Sequence, residues 1–376
     1  MRQAARRGAA SVWLLALWVG LPARAQDLPD LQLRREDQFA ADAQHTGRSA
    51  LRGPRTAPSI RWRVRARRRV FASPMVDPDG YVVFAGIDGR VRAVDLEGVV
   101  RWSFAAPSYV FATPARVSTG IIAGYNGGAF VALNGRGHVQ WRHAVADDAD
   151  CSPTVGRDDA LYLAARGVSA VHGRTGEARW RWEGPRVLGS VALSPDESQV
   201  IVIPVDHILR WLDARNGREL RRVLVPSLVE SAPLVLDDGV VVVGSEDGHV
   251  RAYRPDATLL WDHALSAPVR STPTFARDRS VVVGGDDLHV RALDPATGNE
   301  RWSVRTGGFV RAAATIDRDG WIYVGSEDDR LYAIGPDGAL RWSLTMSADL
   351  DDRALIVQDG VMAVGTDDGA LYLLRE

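Results

Sequence analysis

The chain has 376 residues, 46% of them hydrophobic and 25% charged, and a formal charge of −1. All 46 basic residues are arginine, which excludes Schiff-base and lysine general-base chemistry, and the near-neutral balance argues against general binding to a phosphate backbone. Cys151 is the single cysteine, so no disulfide forms within the chain and the fold depends on its packed core.

Residues 1–25 read as a secretory signal peptide. Arg2, Arg6 and Arg7 precede an apolar run from Ala9 to Leu21, and Ala23-Arg24-Ala25 offers a small-residue cleavage site before Gln26. The run is too short to cross a bilayer as a helix, and no later segment is long and apolar enough to do so. Arg6-Arg7 leaves a twin-arginine route open, but the residues after the pair favour general secretion. Residues 1–25 hold four arginines and no acids, so the remainder carries −5. The expectation is an exported protein, periplasmic or extracellular, and not a lipoprotein, because no cysteine stands at the cleavage site. Residues 26–57 lack periodicity. Gln44-His45-Thr46-Gly47 and Gly53-Pro54-Arg55 mark an extended, turn-rich leader, expected to lie on the surface of the domain beyond residue 57 or to link that domain to something else.

From residue 58 to 376 one unit is written out repeatedly. Trp62, Trp102, Trp141, Trp180, Trp261, Trp302 and Trp342 recur every 39 to 41 residues once Leu220 is placed in the empty slot, with Trp211 nearby as a displaced copy. Repeats of ~40–45 residues built from short strands are propeller blades, each a small sheet that must pack on its neighbours. Residues 281–302 show the unit: a β-branched run, a Gly/Asp turn at 284–287, an alternating run to Leu293, the turn Asp294-Pro295-Ala296-Thr297-Gly298, and the strand of Trp302. Gly298 supplies the positive φ of that turn, while Asp294 accepts from the N–H groups ahead of it. Blades open with Ser-Pro, Thr-Pro or Ala-Pro, as at Pro74, Pro114, Pro153, Pro233 and Pro273. The last unit, Leu350 to Glu376, has no tryptophan strand, whereas Ile60 to Val64 is a tryptophan strand with no blade before it. Pairing them closes an all-β, eight-bladed propeller of four-stranded antiparallel blades.

Aligning the blade starts places Phe71, Phe111, Asp150, Leu188, Glu230, Arg270, Arg311 and Asp351 in one slot, beside the central channel. Aromatic rings and arginines there fit a small anionic ligand; the plainer reading, which repeat-protein polar positions favour, is a water-filled mouth whose charges neutralise one another. The acid pairs Asp158-Asp159, Asp237-Asp238 and Asp367-Asp368 lack the spacing of a calcium loop and read as turn residues. His249 and His289 fall on separate blades, and no metal-ligand spacing accompanies them. Arg61 to Arg69 alternates with Trp62 and Val64 as the solvated face of an outer strand would. Cys151 reads as a small buried hydrophobe rather than a reactive thiol.

The pattern Ala292 to Trp302, A-x-D-x-x-T-G-x-x-x-W, resembles the tryptophan-docking motif of the PQQ-type β-propeller repeat family. That family includes quinone-dependent alcohol dehydrogenases and the periplasmic lipoprotein of the outer-membrane β-barrel assembly machinery. The resemblance covers residues 58 to 376 and implies the fold. It leaves the activity open, because docking residues are structural in enzymes and scaffolds alike. Similarity to the assembly lipoprotein implies a non-enzymatic scaffold for a protein partner, acting as a monomer with no cofactor. Similarity to the dehydrogenases implies PQQ and calcium, but a lone Cys151 excludes the vicinal cysteine pair those enzymes carry.

Overall fold

The computed structural model describes residues 38–376; the signal-peptide expectation and the first part of the leader lie outside them. Strands organise the described residues into eight sheets, seven of them of four strands, and six of those seven run in simple sequence order. Blade 3 reaches the same plan with fewer elements. Its strand Ala160–His172 pairs with Thr154–Val155 through Leu161 and Tyr162 and with Ala178–Arg186 through its second half, Gly167 at φ +80° lying between the two stretches. The middle strands of each blade are buried β-branched runs such as Val281–Gly284, and the outermost alternate, as in Glu300–Arg305. Apolar clusters fill the gaps between adjacent blades: Val83 and Ala93 of blade 1 pack with Ile121 and Val131 of blade 2.

Closure matches the expected pairing. Ser59–Arg65 adds to Ala370–Arg375 antiparallel, with Trp62 opposite Leu373 and Val64 opposite Leu371, making the final blade four-stranded. Arg61, Arg63 and Arg65 are exposed on this strand, as its alternation requires.

Each docking tryptophan except Trp342 lies against the turn of the next blade, and that turn has no room for a side chain. A Cβ added to Gly98, Gly137, Gly176, Gly217 or Gly298 would come within 2.5–3.0 Å of the ring of Trp62, Trp102, Trp141, Trp180 or Trp261. The indole N–H groups of Trp62, Trp141, Trp180 and Trp261 donate to carbonyls of the same turns at 2.8–3.0 Å. Asp294 accepts from Ala296 and Thr297 N–H, and Gly298 has φ +73°, as read from the sequence.

The register corrects one sequence assignment. Apart from Trp62, which faces Leu373, the docking tryptophans stand opposite a third-strand alanine, as Trp102 does opposite Ala93. In blade 4 the corresponding pair is Arg221 and Trp211, so Arg221 rather than Leu220 occupies the docking slot. Leu220 falls at the bulge one residue earlier and is 38% exposed. The turn beneath this slot is also exceptional: it carries Ala257, at φ +71°, where the others have glycine. The two exceptions explain each other, since a methyl group at that turn would collide with an indole. Trp211 is buried instead between blades 4 and 5 with Ile201, Val225 and Val235, under the Arg221 guanidinium at 5.3 Å.

The leader differs from its expected place. Residues 38–49 run around the axis on the inner strands, and Arg52 to Arg55 pass over the seam to Asp359, Tyr323 and Trp342. Leu193 N–H donates to Ala43, Val235 to Gln44, Phe275 to Thr46 and Ile316 to Gly47, so successive blades each gain a bond. Ala40, Ala43, His45 and Ser49 are buried. At the closing seam the Pro54 carbonyl accepts the Trp342 indole N–H at 3.2 Å and the Tyr323 hydroxyl at 3.0 Å. Pro54 thereby serves the blade whose own turn is interrupted by the two ends of the ring.

Candidate functional site: the channel mouth

The Ser/Thr-Pro signature explains how the channel wall is held. Ser73 N–H donates to Thr113 Oγ1, Thr113 N–H to Ser152 Oγ and Ser152 N–H to Ser190 Oγ, all at 2.9–3.0 Å. Arg353 N–H closes onto Ser73 Oγ across the seam. Blade starts are therefore hydrogen-bonded hand to hand, and the residue two positions before each is held at the mouth. Phe71, Phe111, Asp150, Leu188, Glu230, Arg270, Arg311 and Asp351 accordingly line a single cavity of about 210 Å³. Phe39 of the leader lines it too, a contribution the aperiodic leader sequence gave no means to foresee.

Phe71 and Phe111 form the aromatic side, with centroids 5.6 Å apart, and the Arg69 guanidinium lies 4.4 Å over Phe71. The arginines are directed into carboxylates of the protein itself. Arg270 binds Glu246 and Asp286 at 2.7 Å, and Glu230 is 3.6 Å away. Arg311 takes Asp286 at 3.0 Å and Glu327 at 2.7 Å. Asp351 pairs with Arg69 at 3.3 Å, Arg69 also binds Asp367, and Asp150 pairs with Arg186 at 2.9 Å. Glu246, Asp286 and Glu327 escaped the sequence reading and Asp367 was read as a turn residue, yet the four share one slot after the second strand, spaced 40 or 41 residues apart. Two periodic rings thus interlock, arginines of one between acids of the other.

Acids outnumber bases at this mouth, and burial acts on them first. Burial, reinforced by Asp148, holds Asp150 above the usual carboxylate range. Burial and the neighbouring Asp351 do the same to Glu327 and, much more strongly, to Asp352. Hydrogen bonds to Glu246 and Asp286 raise Arg270 and Arg311 respectively. Cys151 is buried beside the mouth with Sγ 3.3 Å from the Val187 carbonyl, and burial pushes its thiol up to about 12, which suits packing and not nucleophilic attack.

The remaining candidates are dispersed. His249 pairs with Asp262 at 2.6 Å, and His289 Nδ1 meets the Asp287 carbonyl at 2.8 Å on the next blade. Asp237 is bridged to Arg279 at 3.4 Å, Asp159 accepts the Ser118 N–H at 3.0 Å, and Asp368 accepts the Ser347 hydroxyl at 2.9 Å. Among the described residues no group of three metal-capable side chains converges. A second cavity, of about 600 Å³, lies between the leader and blades 1 to 4, lined by Asp42, Arg116, Asp158 and Glu197 among others.

The match to known families accords with this architecture. The sequence fits the family described as outer membrane protein assembly factor BamB over residues 56–203, 205–316 and 289–375. The chain belongs to this family. Among solved structures the chain is similar to BamB from Moraxella catarrhalis, at 15% identity and a TM-score of 0.67, covering 85% of this chain and all of that one. It is also similar to quinohemoprotein alcohol dehydrogenase from Comamonas testosteroni, at 13% identity and 0.75, covering 91% and 81%. A europium-containing methanol dehydrogenase gives 10% identity and 0.75, covering 90% and 98%. At such identities the likeness is one of fold. No curated protein matches the sequence.

The BamB-family chain does not fit an anionic quinone cofactor at its mouth. The arginines that would hold one are each bound to two or more carboxylates, and Asp150, Glu230, Asp351 and Asp352 also line the cavity. Nor do the described residues offer a converging calcium site.

Proposed function

We propose that this member of the BamB family is a non-enzymatic scaffold of the cell envelope that binds a protein partner during outer-membrane protein assembly. The observation that carries the reading is the family match along the whole propeller. It is supported by a mouth in which the charged side chains hold one another, and by hand-to-hand bonds that make the ring a stiff platform with loops on two faces. The reading also takes the protein to be exported through residues 1–25 and to act without PQQ or calcium.

The test is deletion in the organism that encodes the protein, followed by quantification of β-barrel proteins in the outer membrane. A reduced level, restored by the intact gene, is expected. Unchanged levels, or a quinone-dependent dehydrogenase activity in the purified protein, would refute the scaffold reading.

A further inference from the structure

One stretch of the chain is positive without relief. Between Asp42 and Asp77 there is no acid, whereas arginine occurs nine times. Some of these arginines serve the fold: Arg48, Arg55 and Arg69 are held by Asp237, Asp317 and Asp351. Arg61, Arg63, Arg65, Arg67 and Arg68 are different. All five are exposed, and among the described residues none of their guanidinium groups has an ion-pair partner. Arg375, also exposed, stands across the strand pair opposite Ser59.

A strand rises ~3.3 Å per residue, so Arg61, Arg63 and Arg65 lie within ~13 Å of one another on a single edge, little more than a Debye length. Like charges set this close repel one another until an opposite charge relieves them. Guarding an open sheet edge needs less: every other outer strand carries either an acid of its own or a single arginine. The edge does not suit an added peptide strand either. A bulge falls at Arg61, between the pairings of Ile60 and Trp62, and breaks the row of backbone groups that such a strand would follow. What the edge offers is side-chain charge on the outer wall of the ring, where a flat surface can rest. Ile60, 50% exposed, adds an aliphatic chain beside the arginines.

We infer that this edge of the closing blade rests on an anionic lipid bilayer, its guanidinium groups donating to headgroup phosphates while Ile60 enters the interfacial layer. The positive strip is set on a chain whose residues beyond 25 carry −5, so attraction to the bilayer is local and fixes which side of the ring faces it. The contact is with lipid, so it stands apart from the protein partner proposed above and leaves both loop faces of the ring free.

The test is co-sedimentation of the chain from Gln26 onward, which keeps every described residue, with vesicles of phosphatidylcholine alone or with about 30% phosphatidylglycerol. Binding to the anionic vesicles only is expected, weakening steeply between about 0.1 and about 0.5 M salt. Each arginine near such a surface is worth about fivefold, so Arg61→Gln/Arg63→Gln/Arg65→Gln should bind about a hundredfold more weakly at an unchanged melting temperature. Removing three exposed arginines elsewhere, Arg136→Gln/Arg215→Gln/Arg218→Gln at turns of blades 2 and 4, should cost less than about threefold. Should the strand variant melt lower, Arg67→Gln/Arg68→Gln, beyond the strand, is expected to weaken binding by about twentyfold. Equal binding to neutral vesicles, undiminished binding by the folded variants, or an equal loss in the two triple variants would each overturn the inference. So would retention of poly-glutamate in place of vesicles, which would give the edge to an acidic protein.

Discussion

Gly298→Ala tests the docking principle directly, with Gly239→Ala as its control. Both glycines sit in blade turns with left-handed φ, +73° and +83°, so each alanine costs ~1–2 kcal/mol in backbone strain. They differ in what the methyl group meets. At Gly239 the nearest atom is Pro255 Cγ at 3.2 Å, which a small shift accommodates. At Gly298 the Cβ would stand 2.7 Å from two atoms of the Trp261 indole, which is 7% exposed and donates to Pro295 at 2.8 Å. Lifting that ring forfeits the hydrogen bond, ~1 kcal/mol, and loosens indole packing by ~1–2 kcal/mol more. Gly298→Ala should therefore lose about 3–5 kcal/mol and Gly239→Ala about 1–2. At roughly 2 °C per kcal/mol for a chain of this size, the melting temperatures should differ by about 5 °C. Equal losses in the two variants would refute the docking principle, and with it the reason that Ala257 coexists with Arg221.

Deleting residues 58–66 removes the strand that closes the ring, together with Trp62, and should cost about 5 kcal/mol or more, comparable with the whole stability of many domains; unchanged melting of the truncated chain would disprove the closure. His45, fully buried with Nδ1 2.9 Å from the Pro233 carbonyl, is held below its ordinary value of 6.5 chiefly by burial. Its contribution is thus present above pH 6.5 and lost as the pH falls below it, because the unfolded chain then takes up a proton that the folded chain refuses. The protein should melt lower at pH 5 than at pH 8, and His45→Asn, which tolerates the φ of +62°, should flatten that difference; an equally steep profile in the variant would assign the acid sensitivity elsewhere.

What could be read from the sequence was whatever repeats. The tryptophan period carried blade number, strand order and closure, because six of the copies set the same indole over the same turn glycine. It failed by one residue at blade 4, where an apolar Leu220 beside a vacant slot is the natural substitute until the cross-strand pairing places Arg221 opposite Trp211. The Ser/Thr-Pro starts gave the register of the mouth and hence all eight residues around it. The partners of its arginines were as periodic but lay in turns, where acids look like ordinary solvated residues. The leader was illegible for a different reason. Its bonds to the blades are made by backbone groups, Ala43, Gln44, Thr46 and Gly47 in turn, and backbone pairing leaves little mark on side-chain identity.

The closing strand sets a timetable as well as an architecture. Ser59–Arg65 precedes the other blade strands, yet among the described residues its strand partner is Ala370–Arg375 at the far end. Each intermediate blade can form from local hairpins, but the seam requires a loop of the entire propeller to close, the slowest kind of contact for a chain to find. Until the final strand arrives, Trp62 has no sheet to belong to and the last blade keeps an open edge. A chain built this way stays incomplete for as long as its C-terminal residues are unavailable, and a truncated or still-growing chain cannot complete its last blade.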